Sequence, residues 1–361
     1  MSRGTGAPTR ASARGARPGR GPLGLETPWL LVALLATAVA GLAAALILQG
    51  GDGDGGSAAD AAAAAGQKEP QQAGRIVGLP VRVGDAPSAV AVGSESVWVL
   101  SETDGTLVTV DPTRNEIVGE PVAVGGRPRF MTIAGASVWV TNFDARTVTQ
   151  VGAKTHTIVR RIRVGASPWG IATGPAEAIW VVNHDDDTLQ QIDTDTGELV
   201  GGPIEVGEAP VNAAYTSGSV WVTNSQDDTV TRVDTRSRGV VAEIPVGDHP
   251  EGISIGDGAV WVANVEDDTV SRIDPTTNRV VKTIAVGDRP LHIKAAGAAL
   301  WVPNSGDGTI SRIPYDRNRA VGAPLPIGRS VERVGAGLNA IWVTSASEDT
   351  IVRVEPAPLD R

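Results

Sequence analysis

The sequence predicts an all-β fold, a seven-bladed β-propeller of four-stranded antiparallel blades preceded by one transmembrane helix. Three observations carry this. Seven tryptophans (Trp98, Trp139, Trp180, Trp221, Trp261, Trp301 and Trp342) recur at intervals of 41, 41, 41, 40, 40 and 41 residues. Each is followed eight residues later by a threonine: Thr106, Thr147, Thr188, Thr229, Thr269, Thr309 and Thr350. The run Arg75–Gly84 aligns without a gap on Glu116–Gly125, so a fragment of the repeat stands ahead of its first complete copy. A unit of this length, built from short β-rich runs, cannot bury its apolar face alone and must stack on its neighbours.

Met1 to Pro28 is rich in Gly, Pro and Ser and carries five arginines against one acid, Glu26. Such a composition cannot bury a core and predicts a basic disordered segment. Trp29 to Leu48 follows as 20 residues without a charge. A helix of that length spans about 30 Å, the hydrocarbon thickness of a bilayer. Arginines precede the span and Asp52, Asp54 and Asp60 follow it, so the positive-inside rule places the N-terminus in the cytoplasm and the remainder outside. The run is longer than the apolar region of a cleaved signal peptide, and no good cleavage sequence follows. It therefore reads as an uncleaved signal anchor in the cell membrane. Residues 49–74, largely Gly, Ala, Asp and Gln, read as a flexible linker to the propeller of residues 75–361.

Within one repeat, Pro250–Ile255 is a short run that turns at Gly256-Asp257-Gly258. Val260-Trp261-Val262 follows, then a turn at Asn264–Asp268, an alternating strand at Thr269–Asp274, another turn, and a last strand from Arg279 to Val286. These are strands a to d from the axis outward. Pro80, Pro121, Pro203 and Pro324 fall in d-type runs, and proline is tolerated on an edge strand because it has no N–H to donate. The last repeat stops after its c strand. Arg75–Gly84 is expected to supply the missing d strand and close the ring.

The repeated Trp, flanked by β-branched residues, is expected to pack between blades. The repeated Thr is expected to bond a turn backbone group.

The segments Trp139-Val140-Thr141-Asn142, Trp221-Val222-Thr223-Asn224 and Trp261-Val262-Ala263-Asn264, each followed by a D-x-T-V-type strand and a V-G-x-x-P turn, resemble YVTN-type propeller repeats. The likeness covers residues 75–361 and speaks for fold more than function. A more distant resemblance is to virginiamycin B lyase-like propellers. It implies a metal-assisted lyase with His and Glu at one mouth, and Glu251, His292 and Glu332 on successive blades could imitate that set. Lyase-like repeats favour a W-F-T-E ending of strand b. This chain has Asn142, Asn183, Asn224, Asn264 and Asn304 there, which by this resemblance removes the metal's carboxylates.

The d-to-a and b-to-c loops must emerge on one face and surround one mouth of the central channel. The two residues after each loop proline vary from blade to blade, which marks an axis-lining ring as the candidate pocket. The ligand-binding candidates are Arg129, Trp169, Asn212, Glu251, His292 and Arg333. Trp169 is either a hydrophobic plug or a stacking surface, and the charged members either pair with one another or meet a ligand.

The strings Asp185-Asp186-Asp187, Asp227-Asp228 and Glu266-Asp267-Asp268 lack the spacing of a calcium loop and read as turn residues. With no cysteine and four histidines, thiolate chemistry is excluded and no metal or other cofactor is expected. A net charge of −10, carried by the propeller, disfavours nucleic acid. No G-x-S-x-G, Walker A or H-E-x-x-H motif is present. The expectation is a binding module for a protein, glycan or small molecule, with a lyase or a structural surface spacer as alternatives.

Overall fold

The computed structural model describes residues 72–359, all within the compact unit Lys68–Arg361. Seven antiparallel sheets follow one another in chain order. In the first, strands a to d run Pro87–Val92, Val97–Ser101, Thr106–Asp111 and Glu116–Ala123. The innermost strands of successive blades touch, and Val331–Gly337 of the last meets Pro87–Val92 of the first. The ring is thereby closed.

Closure of the sheets themselves is by the N-terminal run. Its residues pair antiparallel with the last c strand, Thr350–Pro356, in two pieces: Gly74–Ile76 against Val354–Pro356, then Val81–Arg82 against Thr350 and Ile351. Gly78, at φ 76°, and Pro80 lie in the break between the pieces. Arg75 pairs with Glu355 and Arg82 with Asp349 across this seam. Two of the other outer-strand prolines act alike. Pro203 and Pro324 immediately precede outer strands of two residues each, Ile204–Glu205 and Leu325–Pro326, whereas the proline-free Arg279–Ala285 runs for seven. Pro121, by contrast, lies within an outer strand of eight residues, Glu116–Ala123, so proline blunts the exposed edge and shortens it in only some blades.

The repeated Trp packs between blades as expected. Trp139 is fully buried and shares a cluster with Ile171, Ile179 and Val181 of the next blade. Five of the seven also lie beneath an arginine, as in Arg232 over Trp221 at 4.8 Å. The Arg232 guanidinium continues to the Pro275 carbonyl and Asn278 Oδ1 of the following blade. Arg353 reaches the Pro112 carbonyl and so ties the last blade to the first. One side chain covers an indole face and satisfies a neighbouring turn.

In five blades the repeated Thr departs from expectation, because its partner is the side chain of the asparagine that ends strand b. Asn264 Nδ2 donates to Thr269 Oγ1 and to Ser271 Oγ, both at 2.9 Å, and Asn304 does the same with Thr309 and Ser311. All five of these asparagines are fully buried inside their blades. A residue there faces strand c and not the channel, so the b-strand ending neither supplies nor removes ligands at the mouth. The loop glycine of V-G-x-x-P follows from the same packing. A Cβ at Gly247 would stand 2.6 Å from Asn264 Nδ2 and 2.5 Å from Asp267 Oδ2.

The acidic strings are turn-builders. Asp267 Oδ2 accepts the Asp248 N–H of its own blade, and Asp268 Oδ1 accepts the Arg289 N–H of the next. The residue just before each loop proline, and before Val331 in the last blade, is left-handed and never glycine, as in Ala209 at φ 50° and His249 at φ 54°. It is held from both sides. Asp187 takes the N–H of Ala209, and the Ser225 N–H donates to its carbonyl. At the far end of strand c, Asp111, Asp193, Asp234 and Asp274 accept N–H bonds from the following turn, which hold their carboxyls below the usual range.

Among the described residues no helix is long and apolar enough to cross a membrane. The span Trp29–Leu48 lies outside the described residues.

Candidate functional site

Strand a of each blade begins at the mouth and descends the channel, so equal positions in seven strands form rings. The first ring is Ser88, Arg129, Trp169, Val211, Glu251, Leu291 and Glu332, and the second is Ala89, Phe130, Gly170, Asn212, Gly252, His292 and Arg333. The six predicted residues therefore lie in two layers.

In the upper layer, Arg129 stacks on Trp169 at 4.2 Å from the ring centroid and pairs with Glu102. His184 tilts against Trp169 at 4.7 Å, and Phe143 meets the indole edge-on at 5.5 Å. Arg127 covers Phe143 at 5.1 Å and also pairs with Glu102. Trp169 is partly buried, and its indole N–H has no hydrogen-bond partner. Thr141 Oγ1 donates to the Trp169 carbonyl and Thr223 Oγ1 to that of Glu251, so each b strand fixes a site residue of the next blade. Glu251 faces His249 at 3.6 Å, and that carboxylate raises the His249 pKa above its ordinary value. Burial raises the Glu332 pKa.

The lower layer blocks the axis. Arg333 is buried, donates to the Ser88 and Leu291 carbonyls at 3.3 and 3.1 Å, and lies over Phe130 at 4.7 Å. Phe130 meets His292 at 6.2 Å. Gly170 and Gly252 make this layer possible. A Cβ on either would stand 2.5 Å from Asn212 Cα or 2.7 Å from His292 Cα. The Val334 N–H points to His292 Nδ1 at 3.4 Å, and desolvation, reinforced by Arg333 and Lys294, pushes the His292 pKa well below the usual histidine value. Asn212 is buried and spends its Oδ1 on the Ala213 N–H.

Asn212 and His292 also line the cavity beyond the block, a well of 460 Å³ running to the opposite face. The candidates are thus divided: Arg129, Trp169 and Glu251 gather at the mouth with Glu332, Arg333 closes it, and Asn212 and His292 face the well. The charged candidates do not pair with one another. Arg129 takes Glu102, and Glu251 takes His249.

Sequence reasoning missed Glu102, Phe143 and His184, which complete the Trp169 cluster. They occupy one repeat position, the residue after strand b, which elsewhere is Ser225, Val265, Ser305 or Ala346. That variation was the available signal. The metal implied by the lyase resemblance does not fit this mouth. Glu102 is held by two arginines, His184 by Trp169 and the Pro210 carbonyl, and no three His, Asp or Glu among the described residues gather to hold an ion.

Solved structures share the fold. "Streptogramin B lyase structure" aligns at TM-score 0.67 and 18% identity over 78% of this chain and 96% of that one. Virginiamycin B lyase from Staphylococcus aureus aligns at 0.66 and 21% over 75% and 95%. A catalytically inactive variant of the same enzyme with quinupristin aligns at 0.67 and 21% over 78% and 99%. Among curated proteins none matches. Of the two propeller families that the repeats resemble, it is the lyase family whose sequence model matches, over residues 76–331, and the chain belongs to the virginiamycin B lyase family.

Proposed function

We propose that this chain is a membrane-anchored, extracytoplasmic propeller that binds a protein, glycan or small molecule at its channel mouth without catalysing a reaction. The observation that carries the reading is the Arg129–Trp169–His184 stack with Phe143 at its edge. A flat, partly exposed aromatic surface set beside cations suits a ligand with one apolar face and polar edges. The same arrangement opposes a metal-assisted lyase, because the nearby carboxylate is neutralised by Arg127 and Arg129. Family membership keeps lyase activity as the second reading.

The full-length protein, incubated with cell-envelope material, should retain a partner that Trp169→Ala and Arg129→Ala each bind about tenfold more weakly, the loss of a contact worth near 1.4 kcal/mol. Unchanged capture by both variants would leave only a spacer. Cleavage of quinupristin in the presence of divalent cations would establish the lyase instead.

The anchor reading rests on the uncharged run Trp29–Leu48 and its flanking charges. Reporter fusions at Gly24 should be active inside the membrane and at Gly74 outside. A mature N-terminus after Ala45 would end it.

A further inference from the structure

The well beyond Arg333 is separate from the mouth and has its own chemistry. Its fourth ring consists of the strand-a residues paired directly opposite the repeated tryptophans. In six blades this residue is small: Ala91, Thr132, Ala172, Ala214, Ser254 or Gly335. In the sixth blade it is Lys294, opposite Trp301. Six short side chains leave the lumen open at this level, and the seventh puts an ammonium group into the space they leave.

Nothing in the well balances that charge. The described residues lining it include no carboxylate, and no acid forms an ion pair with Lys294. The acids of the mouth lie above the Arg333–Phe130–His292 layer. Lys294 is exposed to the lumen, and the surrounding protein still desolvates its ammonium enough to lower the pKa. His292 at the floor is kept neutral by the same burial, with the positive charges of Arg333 and Lys294 adding to the effect. Thr132 and Thr173 bond each other, and Ser254 accepts the Ala295 N–H. The other rings are mainly aliphatic, with Ile133 and Ile255 near the open end. An uncompensated cation in a water-filled channel walled by protein attracts an anion.

The geometry points to a second ligand site in this well, one that takes a small organic monoanion, a carboxylate on a compact aliphatic or aromatic body, with Lys294 as its counter-ion. A volume of 460 Å³ falls within the about 300–1,000 Å³ of small-molecule sites. One charge selects a monocarboxylate over a phosphate ester, whose second charge would meet no other lysine or arginine among the described lining residues. The site is independent of whatever the mouth binds.

Isothermal titration of the full-length protein in non-ionic detergent, with detergent blanks, tests this using butyrate, hexanoate and benzoate. Wild type should bind at least one of them saturably, and Lys294→Met, which keeps most of the side-chain volume, should bind it at least about tenfold more weakly. Lys294→Gln should lose affinity likewise, and unchanged far-ultraviolet circular dichroism would show that both variants are folded. Butylammonium should not bind. Absence of saturable binding by wild type, equal affinity in the folded variants, or butylammonium binding as well as butyrate would each overturn the proposal.

Discussion

His292 is desolvated by burial, and three positive or polar influences meet on it: the Arg333 guanidinium, the Lys294 ammonium and the Val334 N–H aimed at its Nδ1. Protonating it would place a third positive charge in the lumen and turn an acceptor into a second donor facing a donor. Its folded pKa is therefore below the unfolded value of about 6.5. The sign follows by linkage: the stability tied to neutral His292 is fully present above about pH 6.5 and is lost as pH falls towards the folded pKa. His249 works in the opposite direction, because Glu251 raises its pKa and favours the folded state on the acid side. The informative comparison is therefore wild type against His292→Gln. On going from neutral pH to about pH 5.5, wild type should lose more melting temperature than the variant. Parallel curves would show that His292 titrates normally.

Five blades, the second to the sixth, are each held by a polar link that the sequence discloses only in part. The asparagine ending strand b, the threonine starting strand c and the hydroxyl two residues later can be seen to recur, and V-G-x-x-P can be seen to be a turn. Their joint arrangement is not legible from spacing, because it depends on which way the buried amide points. In the second blade the direction is settled by chemistry. Thr149 Oγ1 donates to the Val124 carbonyl at 2.9 Å, so towards Asn142 it can only accept. Asn142→Asp keeps the shape but sets an acceptor against an acceptor in a buried site. It should cost about 1–3 kcal/mol in denaturant unfolding. Equal stability would mean that the amide is turned the other way. The mouth was legible to a similar degree. The variable residues after the loop prolines lead to Arg129 and Trp169, but their partners come from the turns after strand b: Glu102 from the blade before that of Arg129, Phe143 from the blade before that of Trp169, and His184 from the blade of Trp169 itself. That a lysine belongs to the well required knowing which residue of strand a pairs with the tryptophan.

At the scale of the whole molecule, the strand count was legible because the termini carry complementary fragments of one repeat. Arg75–Gly84 has the form of a d strand without its blade, and the last repeat is a blade without a d strand. The structure joins them, with Ile76 opposite Val354 and Arg82 opposite Thr350. This seam is the longest-range pairing in the ring and brings more than backbone bonds. Val83 is fully buried in the cluster that holds Trp342 of the last blade and Val97 and Val99 of the first. Burying one such valine stabilises by about 1.5–3 kcal/mol. Without residues 75–84, Thr350–Pro356 becomes an unpaired edge and that cluster opens between the first and last blades. Deleting residues 75–84 should therefore lower the melting temperature by on the order of 10 °C. Deleting residues 49–71, which precede the first described strand, should leave it within about 2 °C of wild type. A similar fall for the two deletions would show that the seam contributes little and that the ring is held by the contacts of its inner strands.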